Sequence, residues 1–131
     1  MTPAARTVLY VEDDALNREL MTHIAALVPD CRLLTAPSLL EARTVLHDLD
    51  AGTVGSPVAL VMVDLDLPDG DGADLLGELR VAPAPPTIWV VTGDAAPGTA
   101  DRLRALGVAA VVVKPFDVSA IVDRLTAELA G

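Results

Sequence analysis

Residues 58–72 read VALVMVDLDLPDGDG. The first six positions are apolar without a break. A strand with one wet face would alternate; an unbroken run fits a strand buried on both faces, as parallel strands covered by helices are. The run closes on Asp64, and Asp66, Asp69 and Asp71 follow within the next seven positions. One stretch thus supplies a central strand and a set of carboxylates at its carboxyl end. A calcium loop or a phosphatase nucleophile loop could begin this way, and the rest of the chain has to decide.

Spacing excludes an EF-hand, which needs oxygen ligands at loop positions 1, 3 and 5, Gly at 6 and Glu at 12. Counted from Asp64, position 5 is Pro68, position 6 Asp69 and position 12 Leu75; counted from Asp69, position 5 is Ala73 and position 12 Arg80. Both registers fail.

Outward from this stretch, apolar runs alternate with helical periodicity. TVLYV (7–11) predicts a strand, and Leu16, Leu20, Ile24 and Leu27 recur at helical spacing up to Pro29. CRLLTA (31–36) predicts a second strand. Ser38 with Glu41 forms a capping box that opens a helix with the stripe Ala42, Val45, Leu46 and Leu49. A polar, Gly-rich loop spans 50–57. After the Asp-rich loop come a short helix bearing Leu75, Leu76 and Leu79, a break at APAPP (82–86) and a fourth strand, TIWVV (87–91). Leu103 and Leu106 mark a helix closed by Gly107, VAAVVV (108–113) is a fifth strand, and Asp117 caps a last helix carrying Val118, Ile121, Leu125 and Leu129. The pattern is (βα)5: an α/β fold in three layers, a parallel sheet with helices on both sides.

The 131 residues suffice for one domain with its own core, expected over about 6–130. Hydrophobic residues make up 52% of the chain, which argues against disorder. No apolar run approaches a membrane span, and the start reads as no signal peptide. The single cysteine, Cys31, allows no internal disulfide and reads as a small packed side chain; a cytoplasmic location is the simplest. A net charge of −10 argues against direct nucleic-acid binding, which requires cations for the phosphates. His23 and His47 have no second His or Cys at ligand spacing and read as structural; Tyr10 and Trp89 read as packing residues.

The polar residues just past the strands carry the functional signal. Glu12, Asp13 and Asp14 follow the first strand, Asp64 the third, Thr92 the fourth and Lys114 the fifth. In open α/β sheets, ligands bind outside the carboxyl ends of the strands. Carboxylates from Glu12, Asp13 and Asp64 repel one another unless a hard cation joins them, and Mg²⁺ prefers few carboxylates, water and phosphate oxygens. Thr92 and Lys114 suit the oxygens of a phosphoryl group. A carboxylate can be the nucleophile in phosphoryl transfer, and Asp64, ending the central strand, is best placed.

The set resembles the receiver domain of two-component response regulators over nearly the whole chain. The matching pieces are VEDD (11–14), VDLDLPDGDG (63–72), VVTGDA (90–95) and VVVKPF (111–116). The resemblance implies a flavodoxin-like sheet of order 2-1-3-4-5 and a signalling domain rather than a turnover enzyme. In this reading Asp64 accepts a phosphoryl group from a phosphohistidine on a sensor histidine kinase or histidine phosphotransfer protein. Asp13 binds Mg²⁺ directly (Mn²⁺ being an allowed substitute), Glu12 binds it through water, and the backbone carbonyl of Asp66 is a further ligand. Thr92 and Lys114 each hold a phosphoryl oxygen, with a cis bond from Lys114 to Pro115, and Gly93 keeps the phosphoryl site open. Asp69 and Asp71 shape a turn with Gly70 and Gly72, and Asp14 is solvated or near the start of the first helix.

One departure stands out. Val111 occupies a position where the family often has Tyr or Phe, and Phe116 comes too late to replace it. The ring-based form of the family switch is therefore in question, whereas phosphorylation is not. Two rivals remain: a phosphorylation-independent interaction module, and a haloacid-dehalogenase-like phosphatase using Asp64 and Asp66. The first usually lacks a site residue, and all five are filled here; the second usually carries its motif on the first strand of a longer chain. The expected protein is a stand-alone receiver or one excised from a larger protein, without an output domain in this chain. It would bias the surface around the fourth helix and fifth strand, dock its donor on the first helix and the loop at Pro115 and Phe116, and allow a homodimer.

Overall fold

Five strands form one parallel sheet: β1 (Arg6–Val11), β2 (Cys31–Ala36), β3 (Val58–Asp64), β4 (Thr87–Thr92) and β5 (Ala110–Val113), in the order β2-β1-β3-β4-β5. The intervening helices are α1 (Ala15–Ala26), α2 (Leu39–Asp50), α3 (Gly72–Arg80), α4 (Pro97–Ala105) and α5 (Val118–Ala130). This computed structural model describes residues 5–50, 58–82, 85–93 and 96–130. The Gly-rich loop from 51, the centre of the APAPP break and the end of the VVTGDA stretch lie outside the described residues.

Alternation along the strands sends successive side chains to opposite faces, which divides the core in two. Leu9, Val11, Val61, Val63, Ile88 and Val90 pack with Leu39 and Ala42 of α2, Leu75, Leu76 and Leu79 of α3, and Leu103 of α4. Val8, Tyr10, Leu60, Met62, Trp89 and Val91 pack with Met21 and Ile24 of α1 and with Ile121, Leu125 and Leu129 of α5. The central strands are apolar throughout because both faces are covered. Trp89 lies beneath α5, with the Arg124 guanidinium 5.5 Å from its ring centroid. Cys31 is half-buried, and the thiol is pushed up by burial; His23 and His47 are on the surface.

The helices follow the expected spans, but α1 faces differently. Leu16 and Leu27 are 75% and 64% exposed, and the buried face runs through Met21, Ile24 and Ala25. The stripe read from leucine spacing is thus displaced by one position, because Met21 and Ala25, an i and i+4 pair, turn inward together. Leu106 and Val118 are also partly exposed. Leu49 belongs to α2, although its side chain lies outside the description. Ser38 and Asp117 cap their helices as expected, accepting from the Glu41 and Ala120 amides, and Asp14, expected only to be solvated or near the start of α1, caps it by accepting from the Leu16 and Asn17 amides. Gly107 takes φ +91 and closes α4.

The loop after β3 departs from a simple turn. Asp66–Leu67 and Gly70–Asp71 pair as a short antiparallel ribbon. Asp71 caps α3 through the Ala73 amide at 2.9 Å. Asp69 reaches across to the start of α2 and accepts from the Leu39 and Leu40 amides at 2.9 and 3.0 Å. These bonds hold its carboxyl below the usual carboxylate value. Asp69 lies in the turn at the tip of the ribbon, as expected, and the two acids also fasten neighbouring helices to the ribbon.

Gly72 seats α3 against the end of β3. A Cβ there would lie 2.3 Å from the Asp64 carbonyl oxygen and 2.9 Å from Val63, whereas one on Gly77 would meet nothing within 4 Å. Opposite outcomes are expected for the two alanine variants in urea unfolding. Gly72→Ala should lose roughly 2 kcal/mol or more through overpacking, and Gly77→Ala should gain about 0.5–1 kcal/mol through backbone entropy.

Candidate functional site

The carboxyl ends of β1, β3, β4 and β5 converge on one edge of the sheet. Glu12 follows β1 and is fully buried; Asp64 ends β3 at 5% exposure; Thr92 ends β4 at 3%. Strand register sets their levels: Asp64 pairs with Val91, and Thr92 with Val113, so Lys114 emerges just past Thr92. The Lys114 amide donates to the Thr92 carbonyl at 2.8 Å, and the Lys114–Pro115 peptide is cis, as expected.

Lys114 joins the two buried acids. Its ammonium donates to Glu12 Oε1 and, at 2.9 Å, to Asp64 Oδ2. Burial alone would lower the lysine; the hydrogen bonds and charges of Glu12 and Asp64 outweigh it and hold the ammonium above its usual value. Asp13 is exposed, yet one carboxylate oxygen from each of Glu12, Asp13 and Asp64 lies within 4.8 Å of the others. The five site residues expected from the sequence therefore meet at one edge. Asp66 sits in the ribbon beside them, which helps wall an open groove of about 630 Å³ lined by Asp13, Leu65, Leu67, Pro68, Gly70 and Asp71.

Sequence reasoning missed the residues that surround Glu12. The Tyr10 hydroxyl donates to Glu12 Oε1 at 3.1 Å and the Asn17 amide to the same oxygen at 3.0 Å. The Arg18 guanidinium donates to the backbone carbonyls of Glu12 and Asp13 at 2.9 and 2.8 Å, bracing the acidic turn. Tyr10 is thus more than a packing residue; its i and i+2 relation to Glu12 was the one signal available. Burial first, then the Glu12 charge and hydrogen bond, push the Tyr10 phenol well above its usual value. Its ring also meets Phe116 edge to face at a centroid distance of 6.4 Å.

Glu12 Oε2 is buried and has no hydrogen-bond partner among the described residues. An orphaned carboxylate oxygen beside two further carboxylates, with oxygen as the only donor element, fits a hard divalent cation.

A family model for the response regulator receiver domain matches residues 8–126. The chain belongs to that family. The receiver resembles the transcriptional regulatory protein DcuR of Shigella flexneri, at 29% identity over 91% of this chain and 48% of that one. It also resembles protein-glutamate methylesterase/protein-glutamine glutaminase 2 of Cupriavidus pinatubonensis, at 36% identity over 88% of this chain and 31% of that one. It spans about half or less of these curated relatives, and their names denote a transcription regulator and an enzyme. Among solved structures, the Mn(2+)-bound form of response regulator Rcp1 superposes with a TM-score of 0.74, at 20% identity, covering 93% of this chain and 90% of that one. The family and the acid pair after β1 displace the dehalogenase-like reading of Asp64 and Asp66. No helix among the described residues is long and apolar enough to cross a membrane.

The receiver's alkaline stability follows from two of these groups. Tyr10 and Lys114 are both raised, so each contributes stability that is complete below its ordinary value, 10.0 and 10.5, and lost as the pH rises through its folded one. Urea midpoints should fall from about pH 9.5 upward, with a flatter limb in Tyr10→Phe. At pH 7, Lys114→Met should cost about 3 kcal/mol, because it removes the ammonium that two buried carboxylates share.

Proposed function

We propose that this receiver accepts a phosphoryl group on Asp64 from a phosphohistidine of a sensor histidine kinase or histidine phosphotransfer protein, and so switches its contacts with other proteins. The supporting observation is the position of Asp64: buried at the end of the central strand, 2.9 Å from the Lys114 ammonium and within the carboxylate cluster. The carboxylate attacks phosphorus; the P–O bond forms as the P–N bond to the imidazole breaks, and the imidazole leaves with the bonding pair.

Each neighbour has a part. The Lys114 ammonium offsets charge on one phosphoryl oxygen, and the Thr92 hydroxyl donates to another. Gly93 leaves the approach open: a Cβ there would meet nothing within 4 Å. Glu12, Asp13, Asp64 and the Asp66 carbonyl would hold Mg²⁺, or Mn²⁺ as named for the Rcp1 structure. The chemistry such an ion supplies when bound is neutralisation of the charge that carboxylates and phosphoryl oxygens bring together.

The donor would dock on α1, where Leu16 is exposed beside the acidic turn, and on the loop at Pro115 and Phe116. The outgoing signal would appear on the α4–β5 surface. Val111 is half-buried against the core on the α4 side, so the switch there works without an aromatic ring at that position. The chain acts as a single receiver unit of the cytoplasm, signalling by contact rather than turning over a substrate.

The test is incubation with a small acyl phosphate and Mg²⁺, followed by intact mass. An acid-stable, base-labile phosphoryl adduct is expected, absent in Asp64→Asn and without Mg²⁺. If neither the acyl phosphate nor a histidine-kinase donor yields an adduct, Asp64 is not the acceptor and the domain is a phosphorylation-independent interaction module.

A further inference from the structure

We infer that Tyr10 and Asn17 are positioning residues for the metal-binding carboxylate: they fix Glu12 by saturating Oε1 and so reserve Oε2 for the ion's coordination shell. The inference rests on the divalent-cation reading of the acidic cluster.

A glutamate side chain has three rotatable bonds, and beside other carboxylates it would turn away from them. Here it cannot. Oε1 accepts from three donors: the Tyr10 hydroxyl at 3.1 Å, the Asn17 amide at 3.0 Å and the Lys114 ammonium. The donors come from β1, α1 and the end of β5, three directions that together define the plane and tilt of the carboxylate. Tyr10 is itself immobilised, fully buried with its ring edge-to-face with Phe116, so its hydroxyl has one position. The other oxygen, Oε2, is buried with no hydrogen-bond partner among the described residues. A buried acceptor without a donor is unfavourable, and this one lies in the cluster with Asp13 and Asp64. One oxygen saturated and the other orphaned is the arrangement expected where an outer layer of donors orients a ligand toward a cation.

Lys114 also serves Asp64. Tyr10 and Asn17 are separable from it, because among the described residues their side-chain hydrogen bonds to the site go to Glu12. Tyr10→Phe keeps the ring and its contact with Phe116 and removes one donor. Asn17→Ala removes the other from a partly buried position on the first turn of α1. Val8→Ala, in the same core layer of the same strand, serves as a control that weakens packing without touching Glu12.

Mg²⁺ affinity would be measured by calorimetry for wild type and the three variants, with the metal-free Tm of each. Tyr10→Phe and Asn17→Ala should each weaken Mg²⁺ binding by roughly tenfold, whereas Val8→Ala should lower Tm and leave the affinity unchanged. Wild-type affinity in both Tyr10→Phe and Asn17→Ala, or an equal loss in Val8→Ala, overturns the inference while the metal reading stands. No Mg²⁺ binding by the wild type overturns both.

Discussion

Two carboxylates are buried beside each other at the sheet edge, and one ammonium lies between them. Glu12 and Lys114 are 102 positions apart in sequence, and Asp64 and Lys114 are 50 apart, so the bonds among them join the first, third and fifth strands. Taking such charges out of water is costly, and attraction repays the cost only where geometry is good and remaining hydrogen bonds are made. The structure meets that condition unevenly. Lys114, Tyr10 and Asn17 serve one oxygen of Glu12 and leave the other without a partner among the described residues. A parallel sheet is the frame that makes this tolerable, because its strand ends all open on the same edge and its register fixes the height of each side chain.

The remaining aspartates of the loop after β3 show how similar residues take different work. Asp71 and Asp69 both accept from backbone amides at helix starts, where the unpaired N–H groups and the helix dipole favour a carboxylate. Asp69 does so on a helix 30 residues away in sequence, tying the ribbon to α2. Arg43 of α2 and Glu78 of α3 add a bidentate ion pair across the surface, with bonds of 2.7 to 3.1 Å. Gly72 completes the arrangement by letting α3 approach the Asp64 peptide where no side chain fits. The acid proposed to react is thus set on a segment anchored at both ends.

Much of this was legible before any coordinates. Unbroken apolar runs mark strands covered on both faces, and the polar residues immediately past them fall at the sheet edge by topology alone; hence Glu12, Asp13, Asp64, Thr92 and Lys114 could be assembled from spacing. The misreadings came where side-chain direction mattered. Leucine spacing alone put Leu16 and Leu27 on the inner face of α1, while Met21 and Ala25 set the real one. The ribbon and the reach of Asp69 depend on a contact between distant segments, which periodicity does not encode. Tyr10, Asn17 and Arg18 were hard to read for a related reason: their roles depend on where a hydroxyl, an amide and a guanidinium end in space, two strand positions or more than one helical turn from the acids they serve.

β5 is a short edge strand of four residues, hydrogen-bonded among the described residues on one side only, to β4. It nevertheless delivers Lys114, the ammonium that both buried carboxylates share. Of the acids, Glu12 follows β1 and Asp64 ends β3, strands paired on both sides. Edge strands open at lower free energy than the strands they flank. Fraying of this margin would uncover the negative charges while the inner strands stayed closed, and amide exchange near Val113 and Lys114 should then outpace that near Val63 and Asp64. Attraction for cations and resistance to local opening are therefore bound together at one margin of the sheet.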